Sequence, residues 1–161
     1  MDTAAIRNTV EELLHAYVHC IDDDRLEEWP AFFTEDCLYK IMPRENAERE
    51  LPIALMYCDG RGMLHDRVVA HRAANLYAPH YYRHLVSALR ILGEDKGVIA
   101  AQANYAVFRT MADPIHYGES EIYSVGMYLD KIVFCEGKAR FQEKVVVVDT
   151  CRIQSLLVTP L

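Results

Sequence analysis

The sequence predicts an α+β fold in which a long, curled antiparallel sheet wraps around N-terminal helices. Three observations predict it. Helical amphipathic periodicity dominates the first third of the chain. Short turn signals then divide residues 81 to 153 into four β-rich runs, each of about 12 to 17 residues and so two to three times the usual strand length. Sheet twist accumulates along strands of that length, so the sheet must curl, and the N-terminal helices are the elements available to cover its concave face.

Ile6, Val10, Leu13, Leu14, Tyr17, Val18 and Ile21 recur at helical spacing, which predicts an amphipathic helix over residues 3 to 21. Asp24 followed by Glu27 resembles a capping box opening a short second helix, with Leu26, Trp29, Phe32 and Phe33 facing inward and a kink or a fresh helical turn at Pro30. CLYKIM (37 to 42) reads as a strand, PRENAERE (43 to 50) as a loop, PIALMYCD (52 to 59) as a second strand, and residues 61 to 74 as a helix. GEDKG (93 to 97), ADPIHYG (112 to 118) and EGK (136 to 138) mark the turns of the meander, and Gly126 is its expected bend point. The 161 residues read as a single domain, without repeats, linkers or low-complexity segments.

Composition narrows the function. Apolar residues make up 52% and charged residues 25%, as in a globular chain able to bury a core. A net charge of −7 argues against nucleic acid and anionic membranes as partners, since both are held by clustered Lys and Arg. The N-terminus lacks the layout of a signal peptide, and no apolar run approaches a membrane span. Cys20, Cys37, Cys58, Cys135 and Cys151 are odd in number and scattered, which suits free thiols, mostly in the core, in a reducing cytoplasm.

MLHDRVVAHR (63 to 72) places three potential metal ligands close together. On a helix, however, His65 and His71 lie about 120° apart around the axis, and Asp66 and His71 about 140°. Ligands on one ion need a common face, so a packed helix with solvated polar residues is the expected reading, and no metal site. No cysteine pairs with a histidine at Rieske spacing, and there is no phosphate-binding or dinucleotide-binding glycine motif. One constellation could carry chemistry. His84, in YYRHLVSALRI, alternates onto the concave face, with Asp22, Asp23 or Asp36 and the tyrosines Tyr17 and Tyr39 nearby on the covering elements. A His with a carboxylate partner can act as general base while Tyr polarises a carbonyl. Alternatively His84 is a buried histidine paired for structural reasons. Separately, the run Val145–Val148 places apolar side chains on both sheet faces, which predicts that something outside the chain covers the convex one.

EEWPAFFTEDCLYKI, LMYCDGRGMLHDRV, HYYRHLVSALRI and the closing TPL, in order along nearly the whole chain, resemble the small (β) subunits of aromatic-ring-hydroxylating oxygenases. The resemblance implies a nuclear-transport-factor-2-like (cystatin-like) cone and a non-catalytic structural role. It places the Rieske cluster and the mononuclear iron on a large (α) partner, so this chain carries no cofactor, and it implies a β homotrimer within a hexamer of three α and three β chains. Trp29 to Phe33 and Pro43 to Asn46 resemble the systems that act on aromatic carboxylates. The same fold hosts dehydratases and isomerases that work inside the cone. On that alternative His84, Asp23 and Tyr17 would be the catalytic set.

Overall fold

The computed structural model describes residues 3–150 and 157–161. Helix α1 runs from Thr3 to Asp22, and the predicted stripe, Ile6, Val10, Leu13, Leu14, Tyr17, Val18 and Ile21, is its buried face. No second helix follows. Asp24 takes a left-handed φ of +56°, with its N–H on Ile21 O (3.0 Å) and the Arg25 N–H on Cys20 O (2.9 Å). Those are the two bonds of a Schellman motif, so Asp24 ends α1 rather than beginning a new helix. The chain continues through turns into a single 3-10 turn, Trp29–Phe32, with Pro30 in its first turn, where a missing N–H costs nothing. Leu26, Trp29 and Phe33 do point inward, as their spacing predicts.

Strand β1 spans Phe33–Pro43, longer than the sequence suggests. The expected loop at 43 to 50 contains a one-turn helix, α2 (Arg44–Glu48), and the expected strand at 52 to 59 narrows to β2 (Met56–Asp59). Helix α3 (Arg61–Ala73) falls where predicted. Then come the long strands: β3 (His80–Asp95), β4 (Val98–Met111), β5 (Ser120–Cys135) and β6 (Lys138–Val148). Of the fourth β-rich run, residues 151 to 153 lie outside the described residues, as does Cys151. Lys96-Gly97 and Glu136-Gly137 close two hairpins, all four residues with positive φ, the backbone that matches strand twist in two-residue turns.

The sheet order is β2-β1-β6-β5-β4-β3. The long strands form the expected antiparallel meander, but β1 joins β6 in parallel, a pairing that sequence adjacency could not suggest. Register shifts interrupt β3 between Ser87 and Arg90, where Ala88 has φ +53°, and β4–β5 between Val107 and Phe108. Such bulges locally increase twist and bend. Gly126 shows no shift. A Cβ there would lie 1.9 Å from Val147 O, so this glycine permits close approach of β5 and β6. The core lies between α1 and the concave face. Trp29, Phe33, Tyr39, Tyr17 and Phe141 pack there largely edge-to-face, with centroids 5.1 to 5.9 Å apart from Trp29 to Tyr39, Phe33 to Tyr39 and Tyr17 to Phe141.

Candidate functional site

The last residue of α1 and the fifth of β3 meet at the edge of this core. His84 Nδ1 lies 2.6 Å from Asp22 Oδ1, and the His84 backbone N–H donates to Asp22 Oδ2 at 2.9 Å. The two side chains are 0% and 2% exposed. Since a carboxylate only accepts, the His84 Nδ1–H donates to Asp22, and Nε2 is buried with no partner among the described residues. The partner of His84 is therefore Asp22. Asp23 is a correction to the predicted set: one residue further on, it is 53% exposed and lies 3.6 Å from Arg25. Asp36 is exposed as well.

Tyr17 also departs from the predicted trio. Its hydroxyl donates to the main-chain oxygen of Leu161 (2.7 Å), not to a group on His84. The Tyr39 hydroxyl donates to the same oxygen (3.2 Å) and accepts the Leu161 N–H (3.0 Å). Burial, with the neighbouring Tyr39 and Tyr128, pushes Tyr17 well above the ordinary phenol range, so it serves as a donor and not as a base. The segment Val158–Leu161 is buried throughout and fills this part of the cone.

A further pair escaped the sequence reading. Lys144 and Asp130, 0% and 1% exposed, face each other across β6 and β5 with Nζ 3.1 and 3.2 Å from the carboxylate oxygens. Nζ also lies over the rings of Tyr128 (3.7 Å), Phe141 (4.5 Å) and Tyr17 (4.6 Å). Burial pulls the ammonium down and pushes the carboxylic acid up, each opposed by the other member of the pair. Alternation could have found Lys144, since in EKVVVV it shares a face with Val146 and Val148.

On α3, Leu64, Val68 and His71 face the core, while His65 and Asp66 are exposed, so the three candidate ligands diverge. His71 pairs through Nε2 with Thr159 Oγ1 (3.0 Å) and through Nδ1 with Tyr77 OH (3.2 Å). Among the described residues no three of His, Cys, Asp or Glu converge, and burial raises the thiols of Cys20 and Cys37 to about 11. That donor set does not fit an iron–sulfur cluster or a mononuclear iron. A cleft of about 470 Å³ opens between α1, α3 and the start of β3, lined by Asp22, His71, Tyr77, His80, Tyr82 and Thr159 among others. Among the described residues no helix is long and apolar enough to cross a membrane.

The convex face is apolar in its middle. Leu85, Ala106 and Val125 form one row across β3, β4 and β5, and Leu129 faces Val145 further along β5 and β6. Its cover differs in one respect from expectation: Val147 and Met42 are already buried, and α2 packs against β1 and β6. Leu85 (55% exposed) and Ile122 (60%) remain open.

A curled sheet around an N-terminal helix, its interior filled by the chain itself, defines a nuclear-transport-factor-2-like cone whose open features are surfaces. Residues 17–155 match the family model described as the ring hydroxylating beta subunit. The chain is 44% identical over 149 residues (92% of it and 90% of the relative) to the anthranilate 1,2-dioxygenase small subunit of Burkholderia cepacia. It is 37% identical over 146 residues (91% and 92%) to the terephthalate 1,2-dioxygenase terminal oxygenase component subunit beta 1 of a Comamonas species. A crystal structure from Novosphingobium aromaticivorans, described as the beta subunit of an aromatic-ring-hydroxylating dioxygenase, superposes with a TM-score of 0.87 at 40% identity over 99% of this chain and 98% of that one. The chain belongs to the ring-hydroxylating dioxygenase β-subunit family.

Proposed function

We propose that this chain is a non-catalytic, structural β subunit, folded as one domain, and that its large α partner carries the Rieske cluster and the mononuclear iron. On this reading three β chains form a trimer within a hexamer of three α and three β chains, in the cytoplasm, and the assembled enzyme hydroxylates an aromatic carboxylate. The substrate class follows the relatives, which are subunits of dioxygenases for anthranilate and terephthalate. The observation that carries the structural role is the filled interior, in which His84 with Asp22 and Lys144 with Asp130 form buried pairs. The apolar convex face supports assembly, because closed symmetry is the common way to bury such a surface between identical chains.

The test is reconstitution. Light scattering on the isolated chain should give a trimer, and that chain should be colourless and unable to hydroxylate an aromatic carboxylate. Activity should appear when a large subunit and an electron donor are added. A stable monomer that turns over a small carbonyl substrate unaided would overturn the reading.

One observation favours a second reading, a cone-fold dehydratase or isomerase. His84 Nε2 is buried and, among the described residues, unpartnered beside an orienting carboxylate, the arrangement of a general base. A thousandfold loss of turnover in His84→Ala, with assembly and melting unchanged, would select it.

A further inference from the structure

The interior of the cone is occupied, and its occupant is held by recognition rather than by packing alone. Three side chains far away in sequence, from three different elements, reach the segment 158–161. Tyr17 of α1 donates to Leu161 O, Tyr39 of β1 bonds both Leu161 O and Leu161 N, and His71 of α3 pairs with Thr159 Oγ1. The Leu161 side chain is fully buried within the aromatic core. Tyr17 and Tyr39 are themselves fully buried, so their hydroxyls, once parted from Leu161, would face an apolar interior. Two hydroxyls converging on one oxygen, with one of them also receiving the adjacent N–H, read a specific chemical pattern. That pattern is an amide N–H beside a main-chain oxygen on a branched apolar body. The cleft lined by His71, Tyr82 and Thr159 reaches this segment at Thr159.

We propose that the cone contains a recognition site for a short, apolar peptide-like ligand, and that residues Val158–Leu161 are its resident intramolecular ligand. Withdrawing the segment leaves Tyr17, Tyr39 and His71 able to take the same chemistry from another molecule. The inference is independent of whether the chain assembles with a large subunit.

Hydrogen exchange on the full-length chain gives the first test. The Leu161 amide should be strongly protected, and Tyr39→Phe should speed its exchange at least tenfold, with the amides of β4 unchanged. Unchanged Leu161 exchange in Tyr39→Phe overturns the proposal. The second test uses a chain ending at Leu157 and the N-acetylated tetrapeptide Val-Thr-Pro-Leu. The peptide should raise the melting temperature of the shortened chain saturably, whereas the reversed peptide Leu-Pro-Thr-Val should not. Adding Tyr17→Phe and Tyr39→Phe should weaken that rescue at least tenfold. Equal stabilisation by both peptides, or rescue insensitive to the two substitutions, overturns the proposal. If the shortened chain does not fold, the exchange result on the full-length chain decides.

Discussion

Asp22 and Asp23 are neighbours in sequence and opposites in role. Asp22 satisfies both a buried imidazole and a strand N–H, so Asp22→Ala should destabilise the chain by about 2–4 kcal/mol and His84→Ala by about 1–3 kcal/mol. Asp23→Ala, at the surface, should stay within about 0.5 kcal/mol. Urea unfolding midpoints measure all three, and equal effects at 22 and 23 would contradict the assignment. The dyad was only half legible in the sequence. Alternation put His84 on the inner face, but consecutive helical residues differ by about 100°, so choosing between the two acids required knowing where α1 ends. His71 and His80 give a pH signature. Burial first, helped for His71 by Arg72, holds both below the ordinary imidazole range. Both therefore take up protons at lower pH in the folded chain than in the unfolded one, which protonates below about pH 6.5. Their effect on stability is unchanged above that pH, and stability falls as pH drops through it toward the folded values. Melting should occur at lower temperature at pH 5.5 than at 7.5, and His71→Gln should flatten that dependence.

Among the elements, those with a long uninterrupted period were legible: α1, α3 and the four meander strands. The failures have identifiable causes. The acid that resembled a helix start is the left-handed residue of a Schellman stop, and its carboxylate instead receives Arg72 Nη1 at 2.7 Å, with Arg72 Nε on Glu27 at 2.8 Å. This fork helps hold Glu27 at about 2, so its contribution is present at neutral pH and lost on acidification below about 4.5. The parallel β1–β6 pairing was invisible because nothing local specifies it. Its tight neighbour pairing, β5 on β6, depends on Gly126. Gly126→Ala sets a methyl against the Val147 carbonyl, which cannot yield as a flexible side chain would. A loss of about 2–3 kcal/mol is expected, measurable as a drop in melting temperature, with smaller effects from Gly93→Ala, where the added methyl meets open space.

At the scale of the whole molecule the sheet presents one apolar face and two edges, the short β2 and the long β3. The face prediction is that the surface around Leu85, Ile122 and Leu129 is buried when identical chains associate, so a chain dissociated by dilution should bind an apolar dye that the trimer does not. Leu85→Lys should weaken association while leaving the monomer fold intact. The edges behave differently. β3 is a sixteen-residue border strand, the kind of template on which a foreign strand can add. Two of its open groups, in the middle of the strand, are already paired: Asp22 takes the His84 N–H and Arg7 Nη1 donates to Leu89 O at 3.0 Å, while Ala88 twists the backbone between them. Helix α1 therefore guards the middle of this border, where an added strand would have to displace it, while the face stays open to docking. Removing Arg7 and Asp22 together should convert soluble, face-mediated association into strand-on-strand aggregation, visible as thioflavin fluorescence on mild heating.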